Sequence, residues 1–531
     1  MKILNAQQIK YIDQETIKRE SITSIDLMER AAIQCFQWIV NQDIEDKQIH
    51  IFCGMGNNGG DGLAIARLLY LEDYMTGTCV VHFSENMSED FITNYQRAED
   101  LGIHPHSIHA EDDFPEIDKD DIVIDAIFGI GLNKAPKAFT KKLIQHINNS
   151  EATVYSIDVP SGLFIDKEVT DTDTVIKAAK TLTFETPKLA FLLPDNQEYL
   201  QSFILLDIGL VKEVLRNIGS SYHFTMNNEI RSIYKMRKKF THKGSFGHAL
   251  LIGGSFGKIG AAVLASKAAL KVGSGLVTAY IPKCGYTIMQ TSIPEVMVEV
   301  DAENAIEFIN YKSKPTVIGL GIGMGTSDKT AKALGKFLNN NQLPLVLDAD
   351  ALNILANHKE YLHLLPKDSI LTPHPKELER LMGTWKHDYE KLEKLKAFST
   401  KYSCILVLKG AHSVIVQNDQ FYFNSTGNPS LATAGTGDVL MGMITGLIAQ
   451  NYTALESAIL GVFLHGRAAD IAEKVANSFE TFIASDIFDW LAEAFTSIHE
   501  KPQIDQEDME EIDNIDFLDD YFFDDDEEPP F

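Results

Sequence analysis

Apolar residues recur at Val439, Leu440, Met443, Ile444, Leu447 and Ile448, the spacing of a buried helix. Elsewhere the apolar positions fall in short continuous runs that end in small or polar residues: 48–53, 121–125, 153–157, 249–252, 316–318, 345–347 and 405–408. Runs of that length predict strands buried on both faces, and their alternation with helical stretches predicts mainly parallel sheets flanked by helices. Helix is predicted over 6–41, with an apolar stripe through Ile25, Leu27, Met28, Ala31, Ala32, Cys35 and Phe36, and again over 63–71 and 261–272. The periodicity fades over 211–239, where Asn217, Gly219, Ser220, Ser221, Asn227 and Asn228 interrupt it. Two doubly wound α/β domains are therefore expected, at 1–215 and 225–498.

Composition agrees, because 531 residues are too many for one core. The hydrophobic fraction of 45% is ordinary for a globular chain, and no apolar run reaches the length of a membrane span. The first residues lack the apolar core of a signal peptide, which predicts a cytoplasmic protein with no membrane partner. Five scattered cysteines without a CxxC pair predict reduced core thiols and no zinc site. Half of the net charge of −28 lies in 501–531, an acidic tail expected to be disordered. Its aromatics (Phe517, Tyr521, Phe522, Phe523) fit a docking segment, and its charge fits a solubilising one; both readings stand. A chain this acidic offers no footprint for a phosphate backbone, which argues against nucleic acid.

Candidate chemistry sits where strands end. Ala434-Gly435-Thr436-Gly437-Asp438 opens the buried helix with small residues, so free backbone N–H groups there can meet an anion. Asp438 is then either a helix cap or a general base for a hydroxyl about to be phosphorylated. Near the N-terminus, the strand at 48–53 runs into Gly54-Met55-Gly56-Asn57-Asn58-Gly59-Gly60-Asp61-Gly62, a phosphate-loop layout whose asparagines and Asp61 depart from the dinucleotide fingerprint. Parallel strands would bring Asn58, Asp125, Asp158 and Ser161 to one crevice, and their oxygens suit a hard cation. The segment around Lys258 is no P-loop, since Ile252 and Ile259 replace the required glycine and hydroxyl residue. By themselves His374 and His412 read as turn residues rather than ligands, and His104, His106 and His109 carry no expected function.

Two families are resembled. Residues 4–210, through Leu27-Met28-Glu29-Arg30-Ala31, GNNGGDG, DAIFGIG, IDVPSG and Thr183-Phe184-Glu185-Thr186-Pro187-Lys188, resemble the NAD(P)H-hydrate epimerase domain. Residues 243–446, through Lys243-Gly244-Ser245-Phe246-Gly247, Gly319-Leu320-Gly321-Ile322-Gly323, Leu371-Thr372-Pro373-His374-Pro375, Lys409-Gly410-Ala411-His412-Ser413 and Gly435-Thr436-Gly437-Asp438, resemble the ribokinase-like ADP-dependent NAD(P)H-hydrate dehydratases. The resemblance implies a Rossmann-like three-layer sandwich followed by a ribokinase-like one. It implies that Asn58, Asp125 and Ser161 hold K+, and that Asn57, Asn58, Gly59, Gly60, Asp61, Gly129, Ile130, Gly131, Leu132, Asn133, Lys134, Ala135 and Asp158 contact the hydrated nucleotide, with Asp158 as base. In the second half it implies substrate contacts at Ala261, Gly323 and His374, an adenine-nucleotide loop at Lys409, Gly410, Ala411, His412 and Ser413, and Gly437 and Asp438 at the phosphate, with Mg2+ accompanying ADP or ATP.

On that resemblance the chain is a multifunctional metabolite-repair enzyme, both isomerase and lyase, and a homo-oligomer. It epimerises R and S NADHX or NADPHX at C6 and dehydrates the S epimer at the expense of ADP or ATP. The alternative is a ribokinase-like kinase for a vitamin-type small molecule fused to a non-catalytic nucleotide-binding module.

Overall fold

A computed structural model gives the structure of the protein and describes residues 1–476 and 478–499; the acidic tail expected at 501–531 lies outside the described residues. Two sheets organise the chain. The first is built from β1 (Ile49–Cys53), β2 (Thr76–Val81), β3 (His106–Ile108), β4 (Ile122–Ala126), β5 (Thr153–Ile157), β6 (Lys180–Phe184) and β7 (Phe203–Leu206). Their order is β3-β2-β1-β4-β5-β6-β7, and every neighbouring pair is parallel. The order reverses direction between β1 and β4, and a doubly wound sheet opens its ligand crevice at such a switch point.

The second sheet contains β8 (Tyr222–Thr225), β9 (His248–Ile252), β10 (Leu276–Ile281), β11 (Met297–Val300), β12 (Val317–Leu320), β13 (Leu345–Leu347), β14 (Ile370–Leu371), β15 (Ile405–Leu408), β16 (Val414–Gln417) and β17 (Gln420–Asn424). Its order is β11-β10-β9-β12-β13-β14-β15-β16-β17-β8, with antiparallel pairing only on the two sides of β16. The first residues of the chain cross to this sheet. Ile3 donates its N–H to the Tyr222 carbonyl at 2.9 Å and Phe224 donates to the Met1 carbonyl at 2.8 Å, so Met1 to Ile3 lie antiparallel along β8. The Ile3 side chain is buried with the core of the second sheet.

The single helix expected over 6–41 is two, Ala6–Glu20 and Ser24–Val40. Ser21 ends the first in a left-handed conformation, and Thr23 with Asp26 forms a capping box for the second, so local side-chain bonds break a stretch whose apolar pattern runs on. The glycine loop is also shorter than its composition suggests. Helix Asn57–Leu71 begins inside it, and its first turns are the Asn57 to Gly62 segment.

In the second domain, helix Thr436–Ala449 is buried along nearly its whole length and packs against helix Ile259–Lys271. Small residues make this possible. A Cβ on Gly442 would come within 2.2 Å of the Ala265 carbonyl oxygen, and one on Gly446 within 2.8 Å of the Ala269 carbonyl oxygen, so the two helices touch backbone to backbone. Of the cysteines, Cys35, Cys53, Cys79 and Cys404 are buried and Cys284 half-buried, and all are free thiols. No helix among the described residues is long and apolar enough to cross a membrane.

Helix propensity alone would make Gly442→Ala stabilising by about 0.5–1 kcal/mol. The carbonyl contact reverses the sign: the added methyl must push the helices apart, and overpacking of this kind costs about 1–3 kcal/mol. Urea unfolding should therefore show Gly442→Ala less stable than wild type.

Candidate active sites

The first site lies over the C-terminal ends of β1, β4, β5 and β6, in a cleft of about 610 Å³ roofed by the two N-terminal helices. Its floor is polar. Asp125, the fourth residue of β4, is fully buried and accepts from Ser161 N at 2.8 Å, Ser161 Oγ at 2.5 Å and Ser156 Oγ at 2.8 Å. Burial raises its carboxyl, and the serine donors hold it down in part. Ser161 Oγ in turn accepts from Phe128 N at 2.8 Å. Asn58 is only 9% exposed, lies against Gly129, and leaves its Nδ2 without a hydrogen-bond partner.

Asp158 follows β5 with φ at +63°, a left-handed conformation that costs a non-glycine residue strain. The carboxylate this geometry aims into the cleft meets Lys188 Nζ at 2.9 Å, and Thr183 Oγ1 donates to it at 3.3 Å. Lys188 is 1% exposed and also donates to Thr183 Oγ1 at 2.7 Å. Asp13, from the first helix, lines the same cleft, and its carboxyl is raised to about 7, first by burial and then by Asp158. Asp61 is likewise raised by burial, with Asp158 and Asp13 adding to it.

Among the residues expected here, Asn57, Asn58, Asp61, Gly129, Ile130, Gly131, Leu132, Asn133 and Asp158 line the cleft. Gly59 and Gly60 turn inward instead, against the Gly54 carbonyl and the Met28 side chain, while Lys134 and Ala135 lie outside the lining. Asp125 and Ser161 sit beneath the floor at the loop that carries Gly129. Asp13 and Lys188 had no expected role: Asp13 is one polar position on a helix, and Lys188, the last residue of the 183–188 motif, is buried against Asp158 only once β5 and β6 pair.

The second site gathers at the N-terminus of helix Thr436–Ala449. Gly435 caps it in a left-handed conformation, φ +94°. Lys409, just after β15, pairs through Nζ with Asp348 Oδ1 at 2.9 Å, just after β13. Both groups face Gly437, where an added Cβ would stand 3.4 Å from Lys409 Nζ and 3.7 Å from Asp348 Oδ2. Burial raises the Asp438 carboxyl to about 6; Asp348 and Asp350 push it the same way and Lys409 opposes them. Ala349 is strained at φ +51°, and this turn lets Asp348 and Asp350 share the site. Asp350 Oδ2 accepts from Gly325 N at 2.9 Å and lies 3.9 Å from Lys258 Nζ.

Ala261 and Gly323 are neighbours on this rim, an added Cβ on Gly323 reaching 3.4 Å from that of Ala261. His374 caps helix Pro375–Met382 by accepting from Lys376 N, and its half-exposed ring lies 3.6 Å from Glu377. Glu377 is raised by burial and feels both Lys409 and Asp348, which brings the His374 turn to the same site. Gly410 N donates to Ser413 Oγ in a tight turn that leaves Ala411 exposed. The His412 ring leaves that turn, bonding the Asn424 carbonyl at 3.0 Å and packing edge-on against Phe224. A histidine without a sequence signal, His465, bonds the Thr436 carbonyl at 3.0 Å; burial pushes it down to about 4, so it is neutral and fixes the helix start. Among the described residues no group of three or more His, Cys, Asp or Glu side chains is arranged to hold a metal.

Two family models match the chain: NAD(P)H-hydrate dehydratase over residues 249–491, and YjeF-related protein N-terminus over residues 24–190. A bifunctional NAD(P)H-hydrate repair enzyme Nnr from Moorella thermoacetica is 32% identical over 526 residues, covering 94% of this chain and 98% of its own. The protein of that name from Coxiella burnetii is 34% identical over 490 residues, covering 91% and 97%. The crystal structure of the ADP/ATP-dependent NAD(P)H-hydrate dehydratase from Bacillus subtilis, co-crystallised with ATP/Mg2+, is 26% identical with a TM-score of 0.46, covering 52% of this chain and 98% of that one.

The Lys188–Asp158 pair generates a stability prediction independent of chemistry. Lys188→Met leaves a buried carboxylate uncompensated, and breaking a buried pair from one side costs about 3–5 kcal/mol. Lys188→Met should unfold at markedly lower urea than wild type at pH 7.

Proposed function

The chain belongs to the bifunctional NAD(P)H-hydrate repair enzymes, which join an epimerase to a dehydratase, and we propose that the cleft around Asp158 interconverts the C6 epimers of NADHX and NADPHX while the Asp438 site dehydrates the S epimer. The observation that carries the reading is the Asp438 carboxyl, raised to about 6 at the mouth of a buried helix and beside the Lys409–Asp348 pair. A carboxyl in that state is poised to take a proton near neutral pH.

Hydroxide is a poor leaving group and phosphate a good one. In the proposed dehydration Asp438 takes the C6 hydroxyl proton as that oxygen attacks the terminal phosphate of ADP or ATP. The free N–H groups at the start of helix Thr436–Ala449 bond the phosphate oxygens, and Lys409 balances the developing charge. The ring nitrogen then expels phosphate from C6, and loss of a proton from C5 restores the dihydronicotinamide. Mg2+ accompanying the nucleotide would supply further charge neutralisation, and Asp348 and Asp350 would help hold it.

In the first cleft Asp158 is the proposed base, oriented by Thr183 and charge-balanced by Lys188. Asn57, Asn58 and Asp61 and the 129–133 loop line the space where the nucleotide would lie. K+ would suit the neighbouring oxygens, the Asp125 carboxylate, the Ser161 hydroxyl and the side-chain carbonyl of Asn58, while the unpartnered Asn58 Nδ2 is a donor left for an acceptor on the nucleotide. K+ held there would order the 127–129 loop against the cleft.

Asp438→Asn keeps the shape and loses the basicity. Nucleotide-dependent recovery of 340 nm absorbance from hydrated NADH should fall by about 10²–10⁴-fold, with nucleotide binding by calorimetry retained. For wild type, kcat/KM of this step should rise with pH through about 6 and level off above it, since only the ionised carboxylate accepts the proton. A phosphorylated product that accumulates, or an unchanged rate for Asp438→Asn, contradicts the scheme.

Asp158→Ala should split the progress curve on a mixed-epimer sample. The preferred epimer is consumed at the wild-type rate and the remainder drains slowly, whereas wild type runs through the mixture without that break and K+ should speed only its use of the second epimer. One uninterrupted phase for Asp158→Ala would remove Asp158 from the epimerase.

A further inference from the structure

Exchange of the C6 hydroxyl between two faces of a ring needs more than a base: one group must protonate the departing oxygen and another must accept the proton of the water that returns. Resting on the assignment of the first cleft to epimerisation, we propose that Asp13 is the proton donor of the epimerase and works as a pair with Asp158 across the cleft.

The two carboxyls come from separate walls. Asp158 stands at the end of β5 on the sheet, whereas Asp13 projects from helix Ala6–Glu20, which belongs to neither sheet and forms the roof. Both line the one cleft, and the charge on Asp158 raises the Asp13 carboxyl. What separates them is the lysine. Lys188 Nζ lies 2.9 Å from Asp158 and bonds Thr183, so it is committed to the sheet wall. Asp13 feels the same ammonium less than it feels burial and Asp158, and its carboxyl is raised to about 7. An ion-paired carboxylate facing a protonated carboxyl is the arrangement that acid and base roles require. The same cleft carries Asn58, buried and with an unpartnered amide, as an independent sign that a polar ligand belongs there.

In the step itself, the Asp13 O–H proton goes to the C6 oxygen, the C6–O bond breaks with its electron pair leaving on water, and the N1 lone pair forms the N1=C6 bond. Water then adds to C6 from the opposite face, the N1=C6 pair returns to N1, and Asp158 takes the proton. One proton has moved from Asp13 to Asp158, and before a further turnover in the same direction it returns to Asp13 by exchange with solvent water, so no net acid, base or redox partner is consumed.

The charged groups that set Asp13 are Asp158 beyond β5 and Lys188 and Glu185 beyond β6, while Asp61 on helix Asn57–Leu71, Asp90 on the next helix and Lys10 on its own helix line the same cleft. Because the donor must be protonated, epimerase kcat/KM should fall as pH rises through about 7.

The test uses the full chain with the mixed epimers of hydrated NADH, following the slow second phase; the first phase, run by the other site, is the internal reference. Asp13→Asn should lower the second-phase rate about 10²–10⁴-fold and remove the limb near pH 7, and Asp13→Glu should restore part of the rate with a displaced limb. Epimerisation in ¹⁸O-water should place the label at C6. A second phase for Asp13→Asn within threefold of wild type, a limb that Asp13→Glu leaves unmoved, or oxygen retained at C6 overturns the proposal, and the Asp13→Glu profile decides if Asp13→Asn folds poorly. Asp158→Ala run in parallel separates the two readings: if it stalls while Asp13→Asn does not, only the role of Asp13 is lost, whereas if neither stalls the epimerase assignment of the cleft fails.

Discussion

Both sites are governed by the same imbalance, one lysine ion-paired to one carboxylate with further carboxyls crowded beside it. In the first, Lys188 pairs with Asp158 while Asp13 and Asp61 go without it; in the second, Lys409 pairs with Asp348 while Asp438 goes without it. Burial makes each uncompensated negative charge expensive, so the unpaired carboxyl holds its proton to higher pH than a solvated one would. The lysine thereby sorts acidic residues of one chemical type into an ionised partner and a proton-exchanging neighbour. The geometry is supplied by the sheets. In both domains the lysine and the paired aspartate leave the C-terminal ends of parallel strands, where backbone direction aims side chains into a common crevice.

Where sequence and structure agree, the information was local. Alternation of strand and helix and the small residues before Asp438 depend on a few neighbouring positions, and the two mainly parallel sheets and the buried helix follow from them. What stayed hidden depends on strand order. Lys409 and Asp348 are 61 residues apart and meet only because β14 separates β13 from β15 by a single strand. Asp13 precedes the first sheet altogether and becomes relevant only when its helix roofs a cleft built by later residues. The glycine loop is shorter than its composition suggests for a different reason: within the helix Gly59 packs against Gly54, Gly60 against Met28 and Gly62 against Ala126 and Cys53. His412 shows the limit of a motif, since its ring lies against Asn424 and Phe224 and leaves only the turn around it facing outward.

Strain marks the same places. Asp158 and Ala349 both hold left-handed backbone, and each sits where a strand hands over to the loop that delivers carboxylates. Rigid surroundings must fix such residues. The backbone contact between helix Thr436–Ala449 and helix Ile259–Lys271 provides that rigidity in the second domain, and the bond from His465 to Thr436 provides it at the helix mouth.

The pairing of Met1 to Ile3 with β8 gives the polypeptide an order of assembly. These residues are made before the first sheet, yet their partner strand follows all seven of its strands in the chain, so they stay unpaired until that sheet has been synthesised. The second sheet, for its part, cannot cover its outermost strand with its own residues. A dehydratase half produced separately would show β8 as an open edge, with backbone donors and acceptors ready to recruit a foreign strand. The two domains are thus joined at both ends of the first one, by the linker that follows it and by the segment that precedes it, which makes their union a closed loop rather than a tether.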